Sequence, residues 1–193
     1  MARWCPRWPF TQGKNHRTKI AQIYDYWMCI QNFVPHLKEH LLSHLLGHRY
    51  DGDECTFTVQ EHNALTLVNN CIYKHNILHV NYTTYDLHRA QDSLNLRTHA
   101  DFMTLSHEDD PETWDQFPYW FGQLIGIFHA MVAYTGPGSH SLEPRHMEFL
   151  FMRWFGCDLE HYRGWKAQHL NRIGFVDGDD DAAFGFLDPP RGH

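Results

Sequence analysis

Two long apolar runs rich in aromatic residues occupy the C-terminal half of this 193-residue chain, at 119–134 and 147–155. The connection between them, TGPGSHSLEPRH, contains the Gly and Pro residues that are typical of a chain reversal. Apolar runs on either side of such a connection predict an antiparallel pair of strands joined by a long loop. Any fold of this chain must accommodate that pair.

Three helices are predicted in the N-terminal third. Apolar residues recur at helical intervals from Thr18 to Ile30, which predicts the first helix. A leucine stripe that begins near Pro35 and ends at Gly47 predicts the second. A third is expected from about Thr58, with its apolar face formed by Val59, Leu65 and Val68.

After Asn76, apolar and polar residues begin to alternate, so that the apolar residues recur about every second position. The stretch ILHVNYTTY is rich in strand-forming residues, and shorter strands are expected at 173–176 and 183–187. The predicted class is α+β, with N-terminal helices packed on a small antiparallel β-barrel or curled sheet. The predicted segments are an irregular basic arm (1–17), a helical segment (18–76) and a small antiparallel β domain (77–193).

Composition excludes several classes of protein. A hydrophobic share of 42% and a charged share of 20% are those of a globular chain, not of a disordered or fibrous one. No apolar run is long enough for a membrane span, and the start lacks the apolar stretch of a secretory signal. The five cysteines are odd in number and form no CxxC pair, which is typical of reduced thiols. We therefore expect an intracellular protein, nuclear or cytoplasmic, that is neither secreted nor associated with membranes.

The net charge depends strongly on pH. Sixteen Lys and Arg against 23 Asp and Glu give −7 with the 17 His neutral. Protonation of roughly three quarters of the histidines near pH 6 would bring the charge to about +6. This balance argues against strong attraction of the whole surface to nucleic acid at neutral pH, but a local basic patch is compatible with it.

Four histidines follow one another at four-residue spacing along the second predicted helix: His36, His40, His44 and His48. Histidines at this spacing lie on one helix face and can hold zinc. Glu39 does not occupy the position of the catalytic glutamate of an HExxH motif. The favoured interpretation is a solvated polar edge, and the alternative is a zinc-binding protein or metallohydrolase.

A second set of metal-ligand types is the series Cys71, His75 and His79, with Cys55 and His62 as further partners. Its spacing matches no standard zinc finger. It is therefore a weaker candidate than the histidine row.

Asp177, Asp179 and Asp181 alternate along the chain, and Asp188 stands where the twelfth residue of a calcium loop would fall. The sixth position is Ala182, whereas the sharp turn of such a loop requires glycine. A solvated acidic turn between strands is the favoured interpretation.

Cations alternate with aromatic residues near the C-terminus, where Arg153, Lys166 and Arg172 accompany Trp154 and Trp165. Such a mixture can stack bases and contact phosphate. The favoured interpretation is that the aromatic residues belong to the core and that the cations flank it. No Gly-rich phosphate loop, GxSxG elbow or His/Cys pair is recognisable. We therefore predict no enzymatic activity, no cofactor and no small-molecule substrate.

A series of short motifs carries a family resemblance. They are HLKEHLLSHLLG (36–47), YDGDE (50–54), HVNYTTYDL (79–87), RAQDS (89–93), RTHAD (97–101), PYW (118–120), IGIFH (125–129), EFL (148–150), RWFG (153–156), GWK (164–166) and FGFLDP (184–189). Together they resemble the C-terminal accessory region of proteins encoded by CACTA-like, Plavaka-type transposable elements of mushroom-forming fungi. The resemblance covers most of residues 34–189.

The resemblance implies a non-catalytic accessory domain that lies after a transposase core. Its implied partners are DNA or other subunits of the transposition complex, and it transfers no catalytic residue to this chain. The family pattern continues past FLDP into further β sequence, whereas this chain stops four residues after that motif. Several expected Arg or Lys positions hold His or neutral residues. These departures imply a sheet that lacks its last strands, in a truncated or decaying copy.

Overall fold

A computed structural model describes residues 16–19, 33–48, 57–83, 89–105, 119–139, 141–158, 161 and 172–189. Within these ranges the chain forms two α-helices and ten β-strands. The helices are α1 (Phe33–Leu46) and α2 (Val59–Ala64). The strands are β1 (His16–Lys19), β2 (Leu65–Leu67), β3 (Cys71–His75), β4 (Ile77–Thr83), β5 (Arg89–Asn95), β6 (Asp101–Leu105), β7 (Tyr119–Tyr134), β8 (Arg145–Cys157), β9 (Ile173–Phe175) and β10 (Phe184–Leu187).

The two longest strands, β7 and β8, form an antiparallel ribbon. Their register runs from Phe121 opposite Phe155 to Val132 opposite Arg145, with one irregularity at Leu124–Gly126. The strand pair predicted from the two apolar runs is therefore confirmed.

The main sheet is built around this ribbon. Its central order is β1-β3-β7-β8-β10, with β2 and β6 also paired to β7 and β9 paired to β8. Strands β4 and β5 form a separate antiparallel hairpin. The pairings are antiparallel, and the described strands do not close into a barrel. The α+β class is confirmed, whereas the barrel alternative is wrong because β1 and β10 lie at opposite ends of the strand order.

Helix α1 packs on one face of the ribbon through an aromatic core. The Phe33 ring lies 4.8 Å from Phe151 and 5.3 Å from Phe186, in edge-to-face geometry. Leu37 and Leu41 of α1 are at most 1% exposed in the same core. Burial of apolar surface stabilises the fold by roughly 25 cal/mol per Å², so this contact is a principal source of stability.

Gly126 shows how tightly this face is packed. A Cβ atom at this position would lie 2.1 Å from the ring of Phe128. The Phe128 ring therefore occupies the space that a side chain at Gly126 would need, and the ring stacks on Phe149 at 5.6 Å.

The opposite face of the ribbon has its own core under the β4–β5 hairpin. Leu78 of the hairpin packs with Ile127 and Leu150 of the ribbon, and all three are at most 7% exposed. The main sheet is thus covered by a helix on one face and by a hairpin on part of the other.

The second and third predicted helices both form, but the third is shorter than predicted. Helix α1 matches the leucine stripe, and Pro35 lies in its first turn, where the missing N–H is tolerated. Helix α2 begins with a capping box in which the Thr58 hydroxyl accepts from Glu61 N and the Glu61 carboxylate accepts from Thr58 N. Leu65 was expected on this helix, but it belongs to β2, where it is 1% exposed opposite Tyr134.

Val68 was also expected on the third helix, and it instead begins the 3-10 segment Val68–Asn70. The apolar residues after Ala64 satisfy strand pairing with β7, and this tertiary contact overrides their helical spacing.

The N-terminal predictions are only partly covered by the described residues. Most of the predicted first helix and of the arm lies outside them, while Thr18 and Lys19 belong to strand β1. The predicted strand after Asn76 corresponds to β4, and the two short predicted strands correspond to β9 and β10. Neither described helix has the length and apolar character needed to cross a membrane.

Truncation of a core leucine tests the importance of the α1 contact. Leu42 is fully buried, whereas Leu142 in the β7–β8 connection is 74% exposed. We expect Leu42→Ala to lower the free energy of unfolding by about 2–5 kcal/mol, because it leaves a cavity. The matched variant Leu142→Ala should change it by less than about 0.5 kcal/mol. Urea denaturation measures both, and equal effects would contradict the packing described here.

Candidate metal centre

Helix α1 directs part of its histidine row towards the end of strand β10. The four-residue spacing of His40 and His44 places both rings on one helix face, with centroids 5.0 Å apart. The His40 ring lies 5.7 Å from Phe186 of β10 and is 1% exposed. The expectation of a solvated polar edge is therefore wrong for His40, because β10 covers this part of the helix.

Asp188 meets both histidines directly after β10. Its Oδ1 lies 3.2 Å from His40 Nε2, and its Oδ2 is in direct contact with His44 Nε2. Burial by itself raises the pKa of the Asp188 carboxyl. Hydrogen bonds and charge from His40 and His44 outweigh burial and hold that pKa well below its usual range. The carboxylate is therefore ionised, and it faces two imidazole rings.

These three side chains form a donor set suited to a metal ion. One ligand atom from each of His40, His44 and Asp188 can be chosen so that all three lie within 4.8 Å of one another. Two ligands on a tetrahedral zinc ion stand about 3.3–3.6 Å apart, given Zn–N and Zn–O bonds of about 2.0–2.2 Å. The separation of 3.2 Å between His40 Nε2 and Asp188 Oδ1 lies just below that range. The contact between His44 and Asp188 is closer, so an ion would have to push these two groups apart.

The other two histidines of the row go elsewhere. His36 lines a small crevice together with Phe33, Phe184 and the acidic turn at 178–181. His48 lies beyond the end of α1, exposed, with its ring 6.2 Å from Phe57. The prediction that all four histidines share one helix face is therefore wrong for His48, because the helix ends at Leu46.

Glu39 faces away from the three-residue cluster. Its carboxylate lies 3.7 Å from His62 Nε2, on the side of α1 that meets α2. Lys38 Nζ donates to the His62 carbonyl on the same side, at 2.8 Å. Glu39 is thus not placed to act as a general base beside His40 and His44.

The weaker sequence candidates have other partners. The Cys71 thiol contacts the Asn69 carbonyl at 3.1 Å, and His75 pairs with His129. Cys55 lies outside the described residues.

The acidic stretch at 177–181 forms the solvated turn that was predicted between two strands. Asp177 accepts from Asp179 N, and Asp180 accepts from Ala182 N at the start of a 3-10 segment. Asp188, which the calcium-loop pattern grouped with this turn, instead contacts the histidines of α1.

The residues predicted to bind nucleic acid are not all on one surface. Arg153 and Trp154 are neighbours on strand β8 and therefore point to opposite faces of the sheet. Trp154 packs against Phe102 and Trp120. Arg172 is 73% exposed and lies 3.7 Å from the Asp158 carboxylate. Trp165 and Lys166 lie outside the described residues.

On the face of β8 that carries Arg153, four apolar residues form a row across four strands. The register pairs Met103 with Phe121, Phe121 with Phe155, and Phe155 with Phe175. The last two rings stack at 4.4 Å, and Arg153 Cζ lies 4.3 Å from the Phe175 centroid. Met103 is 57% exposed and Phe175 is 45% exposed. We use the name aromatic row for Met103, Phe121, Phe155 and Phe175 together with Arg153.

The contacts of Asp188 with His40 and His44 lead to a prediction for the metal-free protein. Asp188→Asn should lower the free energy of unfolding at neutral pH by about 1–3 kcal/mol, because it removes charge-assisted hydrogen bonds between α1 and the end of β10. The depressed carboxyl pKa means that this contribution is complete above about pH 5 and declines as the pH falls further. The difference from wild type should therefore shrink in acid. The exposed control Asp179→Asn should stay within about 0.5 kcal/mol, and a similar loss there would refute the assignment.

Comparison with known proteins gives no match: no protein-family model, no curated protein and no solved structure is similar to this chain.

Proposed function

We propose that this chain is a zinc-binding protein in which His40, His44 and Asp188 hold the ion. The observation that supports the proposal is the convergence of two imidazole nitrogens and one carboxylate oxygen within 4.8 Å, from a helix and from the end of a distant strand. Imidazole and carboxylate are ordinary zinc ligands, and the ligand bonds are short. Binding would therefore join α1 firmly to the end of β10.

The proposal concerns binding and not hydrolysis. Three protein ligands leave a fourth position for water, which is the ligand count of many catalytic zinc sites. Hydrolysis also needs a group that takes a proton from that water. The nearest carboxylate on α1, Glu39, lies against His62 and does not face the site. The contacts of the site therefore support a structural role.

A structural ion would act on the same contacts that hold α1 in place. His40 lies in the core beside Phe186, and Asp188 follows the last residue of β10 directly. An ion that binds the folded chain but not the unfolded chain stabilises it by mass action, by about 2.7 kcal/mol at a free concentration 100 times Kd. Zinc should thus raise the melting temperature of this protein.

Titration of tag-free protein with Zn²⁺, and with Co²⁺ as a visible-absorbing substitute, tests the proposal. We expect one high-affinity ion per chain, Co²⁺ absorption typical of four-coordinate geometry, and a higher melting temperature. Asp188→Ala and His44→Ala should each weaken binding by more than about 100-fold, since even the outer-shell partners of a ligand commonly contribute 10- to 100-fold.

Matched controls distinguish binding at this site from the general affinity of a histidine-rich chain for metal ions. His48→Ala removes a histidine of the same row that lies beyond the end of α1, and it should leave the affinity unchanged. A stoichiometry that falls equally in His44→Ala and His48→Ala would indicate nonspecific binding. The absence of a tight ion in the wild-type protein would refute the proposal.

A second candidate function is the binding of single-stranded nucleic acid, supported by the aromatic row. Flat aromatic side chains beside arginine can stack bases and contact the phosphate backbone. Phe175 and Phe155 form such a stack next to Arg153, and Arg172 immediately precedes β9. Because Asp158 lies 3.7 Å from Arg172, charge attraction is partly cancelled and stacking must supply most of the affinity. DNA is one of the two partners that the transposon resemblance implies, the other being a subunit of the transposition complex.

Substitution in the aromatic row tests this second function. Phe175→Ala should weaken binding to a single-stranded oligonucleotide by about 5- to 100-fold, because base stacking contributes about 1–3 kcal/mol. Arg172→Ala should reduce the salt dependence of binding, with a slope smaller by about 0.7. The exposed Arg97 on the β5–β6 turn provides a matched control, and Arg97→Ala should change neither quantity. Failure of the wild-type protein to bind DNA would leave another subunit as the partner to test.

A further inference from the structure

A second group of histidines lies on the face of the sheet opposite α1. His75 comes from β3, His129 from β7 and His146 from β8. Phe128 and Ala130 face α1, so the alternation along β7 turns His129 to the other face. Adjacent positions hold Tyr73, which pairs with His129 across β3–β7, and Glu148, which pairs with it across β7–β8.

The rings in this group are in direct contact. His129 stacks on Tyr73, with centroids 4.7 Å apart and an interplanar angle of 7°. The ring centroid of His146 lies 4.6 Å from that of His129. His75 Nε2 lies 2.6 Å from His129 Nδ1, and this hydrogen bond joins β3 to β7 through side chains.

A hydrogen bond between two imidazole nitrogens restricts the number of protons that the pair can hold. One nitrogen must donate and the other must accept, and a protonated imidazole has no acceptor nitrogen. A pair with one extra proton keeps the bond, because the neutral ring still accepts. With both rings protonated, two N–H groups and two positive charges would face each other across 2.6 Å. The second proton therefore breaks the contact.

The groups around the pair do not favour its charged form. Burial, followed by the charge on His146, lowers the pKa of His75. The same two causes, with a further contribution from His75, lower the pKa of His129 to about 4. Burial also lowers the pKa of His146 and raises that of Glu148, whose Oε1 lies 4.0 Å from His146 Nδ1.

The neighbouring strands carry further charged groups, among them His16, Arg17 and Lys19 of β1. Lys74 alternates with Tyr73 and His75 and so points to the α1 face, where burial lowers its pKa. On β1, Arg17 is the register partner of Tyr73. On β8, Glu148 is the acidic residue that lies opposite His129. Because its pKa is raised, it is a poor counter-charge for a protonated histidine pair.

We propose that the His75–His129 pair is a proton-operated latch between β3 and β7. In the neutral or singly protonated form the latch holds the two strands together. A second proton opens it and releases β3 from the edge of the β7–β8 ribbon. Among the described strands, β1 joins the main sheet only through β3, so the release of β3 also frees β1.

The direction of the pH effect follows from linkage. Histidines with a lowered folded-state pKa bind fewer protons when folded than when opened, so the closed form loses stability as the pH falls below about 6.5. The raised pKa of Glu148 acts in the opposite direction. It is a single group, whereas three histidines have a lowered pKa, so the net effect keeps the sign given by the histidines. Because solvent screens the exposed His146 and the partly buried His129, we expect the opening equilibrium to rise only roughly 10-fold between pH 6.5 and 4.5.

Amide hydrogen exchange followed by NMR tests the latch in the full chain. Protection of the β3 amides at Tyr73 and His75, corrected for intrinsic exchange rates, should fall roughly 10-fold from pH 6.5 to 4.5, while Phe128 and Phe149 in the ribbon stay protected. His129→Gln keeps a hydrogen-bonding side chain that does not titrate, and it should strongly reduce this pH dependence, because the pair can then no longer hold two facing protonated rings. The exposed control His99→Gln should behave as the wild type does.

A second variant distinguishes the latch from a purely structural role. His146→Gln leaves the His75–His129 bond in place and removes a neighbouring positive charge that lowers the pKa of both rings. The closed form then binds protons more readily, so the midpoint of β3 opening should move to lower pH. Equal pH dependence in the wild type and His129→Gln would overturn the proposal, as would loss of β3 protection in parallel with the ribbon.

Discussion

The packing of α1 against the β7–β8 ribbon is the contact on which the rest of the structure depends. The Phe33 ring meets Phe151 and Phe186 edge to face, and the latter two rings lie 5.0 Å apart in a tilted arrangement. Together they connect the helix, the ribbon and the last described strand. The aromatic contacts fix both the position of α1 and its rotation about its own axis. As a result, His40 and His44, one helical turn apart, face Asp188 at the end of β10. The metal-ligand cluster is therefore a consequence of the aromatic core, and any change that rotates α1 would also separate His40 from Asp188.

The two histidine groups differ because their surroundings differ. On the α1 side, the Asp188 carboxylate lies between His40 and His44 and places a negative charge beside both rings. On the opposite face, His75 and His129 contact each other and a third histidine, and burial disfavours their charged forms. One side chain type thus supplies ligands for the proposed zinc site on one face and forms the proposed proton-operated latch on the other.

Much of the secondary structure could be predicted from local pattern. The leucine stripe predicted α1, and the two aromatic runs predicted the β7–β8 ribbon, since both signals persist over many residues. The third helix was predicted too long because Leu65 and Val68 have helical spacing yet belong to a strand and to a 3-10 segment. Pairing with β7 decides that conformation, and such pairing leaves no local mark in the sequence.

The sequence by itself determined the ribbon, the helix that covers it and the row of histidines on that helix, because these depend on residue spacing within one element. It also indicated that cations and aromatic residues alternate near β8. Only the tertiary structure decided that His40 and His44 meet Asp188, that His48 lies apart, and that Arg153 and Trp154 serve opposite faces. Contacts between residues distant in the chain follow from sheet register and helix rotation, which the packing of the whole core sets.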